Sequence, residues 1–187
     1  EIADEADRYG GSIGVSANTE TATLSARCLS AYLEPMTRLI ADVLLHPTFP
    51  PDEVEIDRAN TLQRLRLQRS QPGFLAEERF RVALFGAHPY ARLAPDEDAL
   101  QRWGTDELQA FHAAHYRPTE ATLLAAGDFD PDALLAALED ALAEWQGATG
   151  TEPVPTPPMQ PAETGWLLVP RPNSVQSHLM LGTFCPP

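Results

Sequence analysis

His46-Pro47 and Pro72-Gly73 fix where three successive helices must start and stop. Over residues 33–46 the apolar positions Met36, Leu39, Ile40, Val43 and Leu44 recur at three and four, which makes one helical stripe. A residue preceding proline is pushed away from helical geometry, so this helix ends at His46. Pro51, with Asp52 and Glu53 behind it, opens the next helix, because proline suits a first turn and acids favour the positive helix end. That helix runs to about Gln71 through an arginine-rich centre, and Pro72-Gly73 breaks it. A third helix covers residues 74–85, with Phe74, Leu75, Phe80, Val82, Leu84 and Phe85 as core candidates.

The residues before these helices supply a surface to pack them on. Residues 2–9 read as the end of an amphipathic helix stopped by Gly10-Gly11. Residues 12–17 and 21–29 read as two strands around an Asn18-Thr19-Glu20 turn. In the second, Ala22, Leu24, Ala26 and Cys28 alternate with Thr21, Thr23, Ser25 and Arg27, so the hairpin has one buried face. Beyond residue 85 the pattern predicts a loop at 86–90, a short helix at 95–103 and a helix from Thr105 to about Tyr116. A continuous apolar strand follows at 121–126, then a helix opened by Asp130-Pro131 and running to about Trp145. Glycine and proline rule out helix and sheet over 147–163, which reads as a linker, and two further strands follow at 166–169 and 175–184. Partial segregation of strands and helices predicts an α+β fold, a sheet backed by helices.

Composition limits the function. The net charge is −14 and arginine is the only strong base, which argues against nucleic-acid binding, since that needs a cationic surface. No apolar run approaches the roughly 20 residues of a membrane span. Cys28 and Cys185 are too far apart in sequence for a metal knuckle and read as buried thiols. The first residues lack the basic start and apolar middle of a signal peptide. There is no initiator Met, and both ends read as cut.

Three motif groups then carry a resemblance: residues 1–5 through Gly10-Gly11-Ser12-Ile13-Gly14; Leu44-Leu45-His46-Pro47-Thr48-Phe49-Pro50 with Asp57-Arg58; and Gly86-Ala87-His88-Pro89-Tyr90 followed by Leu108, Phe111, Tyr116-Arg117-Pro118 and Gly127-Asp128-Phe129. Each is weak alone. In this order and spacing they resemble the insulinase/pitrilysin peptidases, the inverted zincins, a family that includes the mitochondrial processing peptidases. The resemblance implies a metalloprotease-like α+β domain. Residues 1–146 would be a partial first domain, 147–163 a Pro-rich linker, and 164–187 the first strands of a second, related domain.

Catalysis in that family needs HxxEH on a helix: two imidazoles one turn apart hold zinc, and the glutamate acts as general base. The motif does not occur in this chain, and the resemblance implies it would lie upstream of Glu1. The resemblance places the third ligand, a glutamate, two turns beyond Asp57-Arg58, where this chain has Arg64 beside Gln63. A fixed cation there repels a metal; a shift of register would leave Glu53 or Glu55 as the candidate instead. The family's substrate-pairing edge strand falls on Gly14, Val15 and Ser16, with Gly14-Val15 where active members tend to have Asn-Ala. That departure resembles the metal-free companion subunits of bacterial two-subunit members.

The remaining histidines point elsewhere. His112 and His115 share a helix without an acid or cysteine at ligand spacing. His46 and His88 precede prolines and shape turns, and His178 has no partner in view. These readings give no catalytic and no metal-binding residue in the chain, with zinc expected in a catalytic partner or upstream segment. The expected partners are a peptide substrate and a homologous HxxEH-bearing subunit. The open alternatives are an active endopeptidase with its HxxEH upstream and a non-proteolytic assembly protein of the same fold. The compartment stays open between bacterial cytoplasm and periplasm.

Overall fold

The computed structural model describes residues 2–146, 156–159 and 165–184. Its contacts divide the chain into two units, residues 1–49 with 106–151, and residues 50–105 with 152–187. Among the described residues the elements are α1 (Ile2–Arg8), β1 (Ser12–Ala17), β2 (Ala22–Arg27), α2 (Leu33–Leu45), α3 (Pro51–Arg69), α4 (Pro72–Phe85), α5 (Glu97–Arg102), α6 (Thr105–His115) and α7 (Pro131–Ala141).

In the first unit, α1 ends in a double-bonded glycine cap. Gly11 N–H donates to the Ala6 carbonyl at 3.1 Å and Gly10 N–H to Asp7 at 3.0 Å, with Gly10 at φ +64°. Gly11 is required for a second reason: a Cβ there would stand 1.8 Å from the Arg27 carbonyl oxygen, so only glycine lets the chain enter β1 beside β2. The strands pair antiparallel from Ser12↔Arg27 to Ala17↔Ala22. Asn18 Oδ1 accepts the N–H groups of Glu20 and Thr21 and closes the turn. The expected alternation holds from Leu24 onward, where Leu24 and Ala26 are half-buried and their neighbours exposed; Ala22, expected on the same face, is exposed. Ile13 and Ala26 join Cys28, Tyr9 and Ile40 around a core of Ala6, Met36 and Leu39. Burying a Met or Leu side chain there contributes about 1.5–3 kcal/mol each. Helix α2 also packs on α7, whose Leu134 is buried. The Asp130 carboxylate caps α7 by accepting from Asp132 and Ala133.

In the second unit, Arg69 ties three helices together. It donates to Glu78 of α4 at 2.8 Å and to Glu97 of α5 at 2.8 Å. The Glu78 hydrogen bond, reinforced by Glu97, raises the Arg69 guanidinium above its ordinary value. Leu65 of α3 is fully buried. Residues 178–184 lie along α4: His178 nears Gly73, a Cβ on Gly182 would stand 2.5 Å from Phe80, and the Phe184 and Phe85 rings are 5.9 Å apart.

Three expected strands are corrected. Residues 121–126, 166–169 and 175–184 have no strand ladder among the described residues, and Leu124, Trp166, Val175 and Leu181 are more than 90% exposed. Strand geometry is held by a neighbour's hydrogen bonds, and apolar sequence alone does not supply one. Pro72 also begins α4 instead of merely separating it from α3, as its fitness for a first helical position allows. The linker expected at 147–163 lies outside the described residues except for 156–159, and Cys185 lies outside them entirely. No helix among the described residues is long and apolar enough to cross a membrane.

Candidate functional site

The residues expected to bind substrate, Gly14, Val15 and Ser16, lie together in the middle of β1 and are exposed. Their main-chain directions follow from the register. Asn18 N–H donates to the Thr21 carbonyl, so the pair 18↔21 is hydrogen-bonded, and bonded and non-bonded pairs alternate along an antiparallel ladder. Ser16↔Thr23 and Gly14↔Ser25 are therefore bonded pairs, and Val15↔Leu24 is not. Gly14 and Ser16 hold β1 to β2, whereas the Val15 N–H and C=O face the opposite edge. That edge has no strand neighbour among the described residues. An extended peptide can add there through main-chain hydrogen bonds, whatever the Val15 side chain is. The sequence gives the strand, but this direction becomes legible only once the turn fixes the register.

Arg64, in the other unit, is exposed on α3 and donates from Nη2 to Thr61 Oγ1 at 3.0 Å. Its neighbours one turn away are Asn60, Thr61, Leu67 and Gln68, none of them a carboxylate. Glu53 and Glu55 lie eleven and nine residues earlier on the same helix, about 16 and 14 Å along its axis. Glu55 is also engaged by Arg58 in an ion pair. Among the described residues no three His, Cys, Asp or Glu side chains form a group able to hold a metal ion. At position 64 itself, a guanidinium that stays protonated offers no lone pair to zinc.

Four of the five histidines have structural contacts. His112 Nε2 lies 2.8 Å from the Leu44 carbonyl, one of the last of α2, and its ring stacks on Tyr116 at 4.6 Å. Phe49, held at φ +42°, packs edge-on against the same imidazole. His115 instead packs against Phe111, so the two histidines do not converge. His46 lies 3.4 Å from both Asp42 and Glu144. His88 Nδ1 accepts the Tyr90 N–H and caps the turn at Pro89–Ala91. Burial pushes the Cys28 thiol up, away from reactivity. Arg117 entered the sequence reading only as part of a motif. The structure buries it, which that motif does not signal.

Comparison with known proteins covers nearly the whole chain. Residues 1–93 match the family model described as insulinase (peptidase family M16), and residues 102–187 match the model described as peptidase M16 inactive domain. An uncharacterized zinc protease of Mycobacterium tuberculosis H37Rv is 29% identical over 75% of this chain and 32% of its own length. The zinc protease YmxG of Bacillus subtilis is 22% identical over 97% of this chain and 44% of its own. The Caenorhabditis elegans mitochondrial-processing peptidase subunit beta is 24% identical over 81% and 33%. Among solved structures, a peptidase M16 inactive domain from Pseudomonas fluorescens superposes with a TM-score of 0.73 at 30% identity, covering 81% of this chain and 38% of that one. A Helicobacter pylori protease shares the fold, with a TM-score of 0.71 at 21% identity over 86% and 39%. The chain thus spans 32–44% of the length of these curated relatives. With both family models matched in order, and with α1, the hairpin and the three helices where the motif series requires them, the chain belongs to the insulinase family of peptidases, family M16.

Proposed function

We propose that this chain is part of the non-catalytic subunit or half of a zinc peptidase. It would pair with a homologous HxxEH-bearing subunit and contribute wall and substrate contact to the shared chamber. The observation that carries this reading is Arg64. The side chain at the expected ligand position is a cation hydrogen-bonded to Thr61, with no acid within a helical turn. A guanidinium has five donors and no acceptor, so it cannot take over the ligand's role. The match of residues 102–187 to a model described as an inactive domain supports the same reading. Zinc, on this account, is held by the partner.

The chain's own contribution is the open edge of β1. Gly14 and Ser16 fix the strand against β2, and the outward N–H and C=O of Val15 pair with an extended peptide. This contact needs no catalytic side chain, so it survives where a metal ligand is lost. Co-purification of the full-length protein with an HxxEH-bearing homologue tests the reading, followed by peptide cleavage assays of each alone and of both together. Cleavage only by the mixture is the expected result. If neither alone nor the mixture cleaves peptides, a pure assembly role is favoured instead.

A further inference from the structure

We propose that Arg117 anchors a carboxylate-binding site, independent of the β1 edge and of Arg64. Arg117 is only 6% exposed, and its Nε and Nη1 have no hydrogen-bond acceptor among the described residues. The ion-paired arginines are all less buried and have acids of their own: exposed Arg38 with Glu34, and half-buried Arg58 with Glu55, Arg69 with Glu78 and Glu97, and Arg81 with Glu77. Acidic residues outnumber basic ones 27 to 13, so acceptors are not scarce in this chain. Among the described residues none reaches the one arginine that burial makes most dependent on an acceptor.

The local backbone does not relieve it. Arg117 is extended, φ −130° and ψ 142°, and the following Pro118 holds it there. The Tyr116 carbonyl already accepts Trp145 Nε1–H, and the Arg117 carbonyl already accepts the Glu120 N–H. A guanidinium removed from water stays charged, and the group that best matches its planar donors is a carboxylate. A side-chain carboxylate of packed polypeptide and a free small carboxylate share that chemistry.

The test replaces sodium chloride stepwise by sodium formate at constant ionic strength and follows thermal unfolding of residues 1–187. The wild-type midpoint is expected to rise and saturate. Arg117→Met should show no formate response, and without formate it should melt no lower than wild type, because an uncompensated charge has been removed. An equal response in both proteins, or none in either, overturns the proposal. Should Arg117→Met not fold, the Nε–H resonance of wild-type Arg117, assigned by its loss in Arg117→Lys, decides. Movement with formate supports the site and an unmoved resonance overturns it. In the full-length protein, a persisting formate response identifies a free carboxylate. A resonance already at its formate-bound position there identifies a side chain of the polypeptide.

Discussion

Strand β1 and helix α3 both carry a residue that the family resemblance marks as functional, and they differ in which atoms that function would use. At Val15 the relevant groups are the main-chain N–H and C=O, aimed by the register of a hairpin. At Arg64 the relevant group is the side chain, and its identity decides everything. On the proposed reading, Gly14-Val15 in place of Asn-Ala leaves strand addition possible, whereas an arginine in place of the ligand would end metal binding. A protein can therefore lose the chemistry of this fold and keep its recognition.

The sharpest way to break the comparison is proline on β1. Ser16→Pro removes a donor that bonds β2 and should destabilise the hairpin unit by about 3 kcal/mol, read as a shift in urea midpoint. Val15→Pro removes an outward donor instead; it should cost less stability and abolish peptide binding measured by calorimetry. Equal loss of stability in the two variants would show that the register argument is wrong. Gly11→Ala comes next. Its Cβ would meet the Arg27 carbonyl at 1.8 Å, and the forced backbone shift should cost about 1–3 kcal/mol.

The α3 side of the comparison predicts smaller effects. Arg69→Ala unties α4 and α5 from α3 and should cost on the order of 1 kcal/mol in chemical denaturation, since the network is partly solvated. Arg64→Ala loses one exposed contact to Thr61 and should change stability by less than about 0.5 kcal/mol. A large loss at Arg64 would mean that the arginine is a structural keystone, and its place in the argument about zinc would need another explanation.

What the sequence made legible follows the same division. Glycine and proline act locally, so Gly10-Gly11, Pro51 and Pro72 placed the helix ends within a few residues. The alternation in β2 gave the correct inward face at its end, because Ala26 and Cys28 pack against the helical core of Ala6, Met36 and Leu39. The same reasoning over-assigned residues 121–126, 166–169 and 175–184, since a strand is a property of a pair and no partner ladder exists for them among the described residues. Long-range facts were out of reach. That His112 clasps the Leu44 carbonyl, that Phe49 takes a positive φ and that Arg117 is buried all depend on segments far apart in sequence meeting. Arg64 stood out from sequence because a helix keeps its register, and counting residues along it counts distance.

The most direct test of the central claim is the zinc content of the isolated full-length protein, measured by elemental analysis alongside its peptidase activity. The account predicts no zinc above buffer background and no cleavage until an HxxEH-bearing homologue is added. One zinc per chain, with cleavage by the isolated protein, would contradict it.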